Sequence, residues 1–310
     1  MTWTYIPYVC FTVGMATSEE LGVQRSVELS AGTIQYRERG DGPPVVFVHG
    51  LLVNADLWRN VVPLLAGCRS IAPDWPLGSH SVPMRAGADL SPTGVADLIA
   101  EFLAALDLED VTVVANDTGG ALTQILMTRH PERIGRVVLT PSDCFESFFP
   151  PGFAFLPRLL RLPGQTWLMA RMVQIKALHR LPFVFGKIAK HPIPAAIRES
   201  YVRPVGRSAG VRQDLRSFVT QVHRRHTLAA ADALPAFTKP VLLAWATEDR
   251  VFPLALGKRL AEVLPDARFV EVADSYTFVP EDQPAALAEL ITEFVGTAPA
   301  SDRSGEVSPG

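Results

Sequence analysis

The chain has 310 residues, a formal net charge of −3 and 20% charged residues. This length suits one large domain with an insertion, or two domains at most, and the near-neutral charge disfavours general nucleic-acid binding. The three cysteines fall in no CxxC or metal-ligand spacing, so we expect reduced thiols, no metal and a cytoplasmic protein.

Both ends of the chain differ in composition from the middle. Residues 1–15 are apolar, but they lack the basic start of a signal peptide and are too short to span a membrane. Residues 297–310 are rich in Ser, Pro, Gly and Ala, which is typical of disorder. We therefore predict an N-terminal arm over 1–24, a disordered tail over 297–310, and no membrane partner.

The first hundred or so residues predict alternating strands and helices. Residues 25–38 alternate polar and apolar side chains around a Gly turn, as in a hairpin at a sheet edge. Residues 45–48 are a continuous apolar run, which is typical of a strand buried on both faces, and residues 69–74 predict the next strand. Apolar residues at helical spacing between 91 and 106 predict a helix that packs on the core.

A buried strand, a sharp turn and a helix are predicted between residues 111 and 127. The β-branched run that starts at Val111 breaks at Asp117, and a helical pattern follows. Such a turn strains the backbone and tolerates only small residues two positions before and after it; Ala115 and Gly119 stand there. The turn would lift the Asp117 side chain above the sheet. The alternative is an ordinary helix N-cap, for which Asp is well suited.

The composition changes between residues 144 and 235, where short apolar and helical runs are separated by prolines. Residues 145–235 contain fourteen Lys or Arg against four Asp or Glu. This basic segment either docks on an acidic core or attracts an anionic substrate or acidic partner. Strand patterns return at Pro240–Trp245 and Arg268–Ala273, with a helix at 254–264 between them.

Four segments together resemble the α/β-hydrolase superfamily. They are Val45–Gly50, Ile71–Asp74, the turn around Asp117, and Leu242–Asp249. Most members carry Ser at this turn, the nucleophile elbow, and an Asp there is similar to the haloalkane dehalogenase and epoxide hydrolase branch. In that branch the carboxylate attacks carbon and an activated water cleaves the resulting ester.

The resemblance implies an α/β fold in which helices flank a mostly parallel sheet. The core would comprise residues 25–143 and 236–296, and a helical cap would comprise residues 144–235.

The resemblance also implies roles for individual residues. Asp117 would be the nucleophile, and Asp249 would be its acid partner, with Glu248 as the neighbouring rival. The backbone amides of Leu51 and Thr118 would form the oxyanion hole.

The pattern breaks after the last strand, where relatives carry the catalytic histidine and this chain has Thr277. A threonine cannot deprotonate the water that hydrolyses an aspartyl ester. The candidate substitutes are His80, His223 and His226. Tyr201 is the candidate acid for opening an epoxide.

These patterns predict a cofactor-independent enzyme that acts on a small, largely apolar substrate through Asp117 and an aspartyl ester. Two alternatives stay open. One is a non-hydrolytic isomerase or cyclase in which Asp117 is a general acid or base, and the other is a catalytically silent relative that binds a ligand. No pattern in the sequence indicates the oligomeric state.

Overall fold

The computed structural model describes residues 18–180 and 185–296, and these residues fold around an eight-stranded sheet. The predicted arm therefore lies largely outside the described residues, and the predicted tail lies wholly outside them. The strands are β1 Val23–Leu29, β2 Gly32–Arg39, β3 Pro44–Val48, β4 Arg69–Pro73, β5 Val111–Asp117, β6 Ile134–Ser142, β7 Val241–Ala246 and β8 Ala267–Val272.

The strand order across the sheet is β1-β2-β4-β3-β5-β6-β7-β8. Strand β2 is antiparallel to β1 and β4, and the remaining neighbours are parallel. The predicted edge hairpin is confirmed, but β1 begins at Val23 and Leu21 is buried. The chain thus joins the fold before the predicted end of the arm at residue 24.

Helices cover both faces of the parallel part of the sheet, which is why β3, β5 and β7 are almost continuously apolar and buried. The predicted helix at 91–106 is present, and the Ser91 hydroxyl caps it by accepting from the Gly94 N–H. The α-helices of the described residues are α1 Pro92–Ala105, α2 Thr118–Arg129, α3 Leu156–Leu159, α4 Gln165–Met172, α5 Ala195–Arg207, α6 Ala209–Val219, α7 Arg224–Ala233, α8 Leu254–Val263, α9 Val279–Asp282 and α10 Pro284–Gly296.

Helices α3 to α7 lie between β6 and β7, where the helical cap is predicted. Helix α7 packs against α2 of the core. The predicted cap over residues 144–235 stays a prediction. We call residues 144–223, which end before α7, the insertion. In the described ranges, no helix is both long enough and apolar enough to cross a membrane.

Three contacts between pairs of side chains join α5 and α6 of the insertion to the core. The Ser200 hydroxyl donates to Asp56 Oδ2 at 2.6 Å, and the Tyr201 hydroxyl donates to Glu281 Oε1 at 3.2 Å. The third contact joins Asp214 Oδ2 and His80 Nε2 at 3.0 Å. All three lie in buried surroundings, where a lost partner would leave a polar group without water.

At the turn between β5 and α2 the backbone of Asp117 has φ 56° and ψ −133°, on the side of conformational space that favours glycine. The neighbours give it room because they lack side chains. A Cβ on Gly119 would stand 2.6 Å from the His49 carbonyl oxygen, and a Cβ on Gly50 would stand 2.6 Å from Asp117 Cβ. The predicted requirement for a small residue two positions after this turn is confirmed at Gly119, whereas that for Ala115 stays a prediction.

We expect Gly119→Ala to lower the free energy of unfolding by about 1–3 kcal/mol, because the added methyl overlaps the carbonyls that end β3. Alanine is favoured over glycine in a helix by up to about 1 kcal/mol, so a net loss shows that the steric term is larger. Urea unfolding measures the difference. Gly152→Ala is the matched control, because a Cβ there meets nothing within 4 Å. Equal unfolding midpoints for the two variants would contradict this account of the turn.

Candidate active site

The Asp117 carboxyl is buried against Gly50, at the carboxyl end of β5. The backbone N–H groups of Leu51 and Thr118 lie beside it and stabilise its charged form, which lowers its pKa. These are the two amides that the sequence predicts for an oxyanion hole, and the fold brings both of them to Asp117. Asp117 stands at the N-cap position of α2, but its side chain makes no capping hydrogen bond to that helix, which disfavours the ordinary N-cap alternative.

Burial raises the pKa of Asp117 to about 7, because a charged carboxylate loses its hydration there. The amides of Thr118 and Leu51 oppose this shift by bonding to the charged form, and the negative charge of Asp249 adds to it. The carboxyl is therefore divided between its neutral and charged forms near neutral pH.

Asp249 lies in the turn after β7 and is held by three donors on one oxygen. Its Oδ1 accepts from the N–H groups of Val251 at 2.6 Å and Phe252 at 2.7 Å, and from Thr277 Oγ1 at 3.2 Å. Its Oδ2 is buried and has no hydrogen-bond partner within the described ranges. Burial raises the pKa of Asp249 to about 6.

Thr277 is fully buried and connects Asp249 to the elbow. Its hydroxyl donates to Asp249, and its backbone carbonyl accepts from Asn116 Nδ2 at 2.7 Å. The loop after β8 is thereby fixed beside the residue that precedes Asp117. At this position the chain presents a hydroxyl, which cannot act as a base near neutral pH.

Asp143 is a third buried carboxyl at this site, and the sequence analysis missed it. Thr118 Oγ1 donates to its Oδ2 at 3.4 Å, and no partner of its Oδ1 occurs in the described part of the chain. Burial, followed by the charge of Asp117, raises the pKa of Asp143 well above its usual range. One signal could have revealed it: Asp143 directly follows β6, which pairs with β5, so both carboxyls lie at the same edge of the sheet.

A cavity of about 370 Å³ extends from Asp117 between the sheet and the insertion. Asp117, Thr118 and Leu51 form its polar end, and its remaining wall is almost entirely apolar. All seven histidines belong to the described residues, and none lines this cavity. The wall includes Leu52, Phe149, Phe153, Phe155, Leu156, Leu159, Leu168, Met169, Met172, Phe185, Ile188 and Val202.

The histidines proposed as substitute bases are engaged elsewhere. His80 is buried against Asp214, outside the cavity wall. His223 is exposed and caps α7 by accepting from the Arg225 N–H, and His226 lies beside Arg225 on the same helix. The prediction that one of them could serve at Asp117 is wrong for this arrangement, because each belongs to an element that does not contact the cavity.

Two further candidates also point away from Asp117. The Tyr201 hydroxyl is committed to Glu281, which forms a buried ion pair with Arg59 at 2.5 Å, so it is not an acid for the cavity. Glu248 is exposed and pairs with Lys190 at 2.7 Å. Asp249, its predicted alternative, is therefore the carboxyl of this turn that faces the site.

No group of three or more His, Cys, Asp or Glu side chains within residues 18–180 and 185–296 could hold a metal ion. Cys68 and Cys144 are buried and unpaired, and Cys10 lies outside the described residues. The expectation that the protein uses neither metal nor cofactor stays a prediction.

A sheet of this order, with a sharp strand-to-helix turn after β5 and two backbone amides facing the residue on that turn, defines the α/β-hydrolase fold. The chain belongs to the alpha/beta hydrolase family, whose sequence model matches residues 45–290. Its distinctive feature within that fold is a carboxyl group at the elbow.

Known relatives agree with this assignment and with the dehalogenase-like branch. The chain is 30% identical to the cis-3-alkyl-4-alkyloxetan-2-one decarboxylase of Shewanella oneidensis, over 84% of this chain and 83% of that protein. It is 28% identical to haloalkane dehalogenase 2 of Mycobacterium tuberculosis, over 88% and 94% of the two chains. Among solved structures, a putative ancestral haloalkane dehalogenase superposes with a TM-score of 0.71 at 23% identity, covering 87% of this chain and 98% of its own.

The raised pKa of Asp117 predicts how stability depends on pH. A carboxyl has a pKa of about 3.9 when unfolded, so the folded state binds more protons between about pH 4 and pH 7, and stability falls as pH rises through that window. We expect Asp117→Asn to be more stable than the wild type at about pH 8, by about 2–4 kcal/mol, and the gain to vanish near pH 4. Urea unfolding at both pH values tests this, with Asp41→Asn on the exposed surface as control. A gain that is independent of pH would refute the assignment.

Proposed function

We propose that Asp117 is the nucleophile of an enzyme that acts on small, largely apolar organic electrophiles. In the first step a carboxylate oxygen of Asp117 attacks carbon, the bond from that carbon to its leaving group breaks, and the leaving group departs with the electron pair. The product is an ester of Asp117. The observation that carries this proposal is the Asp117 carboxyl at the polar end of an apolar cavity, beside two backbone amides that stabilise its charged form.

The two amides support this chemistry rather than a purely structural role. When an aspartyl ester is attacked at its carbonyl carbon, negative charge develops on the oxygen that the amides of Leu51 and Thr118 hold. Donors already in place stabilise that charge without rearrangement. The cavity volume of about 370 Å³ is in the range of small-ligand sites, and its apolar wall favours alkyl substituents.

Hydrolysis of the ester requires a base that deprotonates the attacking water molecule. Whether the ester is hydrolysed therefore depends on whether such a base lies at the cavity. Thr277 occupies the place beside Asp249, and no histidine of the described residues lines the cavity. A dehalogenase-like reaction would therefore stop, or proceed slowly, at the aspartyl ester.

The second candidate function is favoured by this same observation, because it consumes no water. In a β-lactone, the ring named in the Shewanella relative, Asp117 would attack C4 and the ring C4–O bond would break, leaving a free carboxylate on C3. The C3–carboxylate bond would then break to release CO₂, its electron pair would form the C3–C4 double bond, and Asp117 would leave C4 as a carboxylate. Asp117 is regenerated without a base, so Thr277 is no obstacle to turnover.

We expect haloalkanes to add one alkyl group, and epoxides one hydroxyalkyl group, to the wild-type protein in intact-mass spectra, and both to leave Asp117→Asn unmodified. Adduct formation should become faster as pH rises through about 7, because only the charged carboxylate attacks. In Thr277→His the adduct should turn over, since an imidazole bonded to Asp249 can deprotonate water. Thr277→Leu, which adds bulk without a base, should keep the adduct. An adduct on a residue other than Asp117 would contradict the proposal.

For cis-3,4-dialkyl oxetan-2-ones we expect release of CO₂ and the corresponding alkene by wild type, and at least a hundredfold slower release by Asp117→Asn. Gas chromatography of the alkene measures this directly. In heavy-oxygen water neither product nor Asp117 should gain solvent oxygen. A labelled β-hydroxy acid would instead indicate hydrolysis and would exclude the decarboxylation route.

A further inference from the structure

Large exposed apolar side chains are concentrated on one segment of the insertion, residues 155–175. In the described ranges, the other large apolar side chains of comparable exposure are Val23 and Leu64. A folded chain rarely leaves so many apolar side chains in water on one short segment unless another surface covers them. The six, with their exposed fractions, are Phe155 51%, Leu162 55%, Trp167 57%, Leu168 46%, Met172 49% and Ile175 51%.

Positive charge surrounds these apolar side chains. Between Glu146 and Glu199 the sequence has eight Lys or Arg and no Asp or Glu. Arg158 and Arg171 are exposed within the apolar segment, and the Arg171 guanidinium lies 5.8 Å from the centroid of the Trp167 ring. Exposed aromatic and aliphatic residues interleaved with arginines are the composition that binds at the headgroup region of an anionic bilayer.

The apolar segment also borders the cavity. Phe155, Leu168 and Met172 are each about half exposed and also line the cavity that ends at Asp117. The exposed surface and the cavity wall are therefore continuous. A small apolar molecule dissolved in a bilayer could move along this surface into the cavity without crossing bulk water.

We propose that the apolar segment, residues 155–175, binds the protein to an anionic lipid surface with the mouth of the cavity toward the bilayer. A second copy of the chain is a poorer occupant, because two such faces would bring like charges together with no acidic residue in the segment to pair with them. The sequence predicts no membrane partner on the ground that nothing is long enough to span a bilayer, and a docked surface needs no span. This docking does not depend on the reaction proposed at Asp117.

The test is co-sedimentation of the full-length protein with vesicles of phosphatidylcholine alone or mixed with phosphatidylglycerol. We expect binding to the mixed vesicles, weakened by salt, and a blue shift of tryptophan fluorescence that is lost in Trp167→Phe. Of the other described tryptophans, Trp58, Trp75 and Trp245 are fully buried and should not respond.

Two sets of variants separate the apolar and the charged contributions. Combined Leu162→Ser, Trp167→Ser and Ile175→Ser changes, none of which touches the cavity wall, should weaken partitioning at least tenfold on mixed vesicles. Arg158→Gln and Arg171→Gln should each weaken it about fivefold, and only where phosphatidylglycerol is present. Unchanged melting temperatures would establish that the variants are folded.

The Asp117→Asn variant should bind vesicles as the wild type does, so failure of the proposed chemistry leaves this test intact. Three outcomes would overturn the docking proposal. They are no binding to mixed vesicles, binding that survives the triple serine change, and a dimer in solution that the triple change abolishes while vesicles bind neither protein.

Discussion

At Asp117 the backbone turns back on itself with a positive φ, in a conformation that costs a non-glycine residue about 1–3 kcal/mol. The surrounding sheet holds it there, because β5 pairs with β3 on one side and β6 on the other. The space for the turn comes from residues without side chains: a Cβ on Gly50 would meet Asp117, and a Cβ on Gly120 would collide with Ser142. The close approach of the segment around Gly50 to the turn at Asp117 brings the amides of Leu51 and Thr118 to the carboxyl.

The tight turn places acidic side chains where they have little contact with water. Their pKa values therefore depend on the groups around them. Asp143 is buried and Asp117 and Asp249 are partly buried, and burial raises the pKa of each. A protonated imidazole at position 277 would stabilise the carboxylate forms, whereas the Thr277 hydroxyl offers one hydrogen bond and no charge. The side chain at position 277 therefore does not offset the effect of burial on these three acids with a positive charge.

The sequence predicts much of this architecture because the signals are local. Continuous apolar strands, the small residues around Asp117 and the spacing from β7 to Asp249 each lie within a few residues of chain. Even Thr277 is found where the pattern expects a partner of Asp249.

The features that the sequence does not predict depend on contacts between segments that are far apart in the chain. Asp214 and His80 are 134 residues apart in the sequence, and Tyr201 and Glu281 are 80 residues apart. No local sequence pattern could predict either pair. The apolar residues of 155–175 resemble core residues in sequence, and only the fold shows that about half of their surface faces outward.

The insertion is attached to the core through buried polar side chains, and these contacts limit how the cavity can open. Helices α5 and α6 are tied to the core by Ser200, Tyr201 and Asp214. On the opposite edge, the Arg161 side chain bonds to the Thr220 carbonyl, within the insertion itself. We therefore expect α5 and α6 to keep their places when a ligand enters the cavity, because moving them would leave buried polar groups without partners.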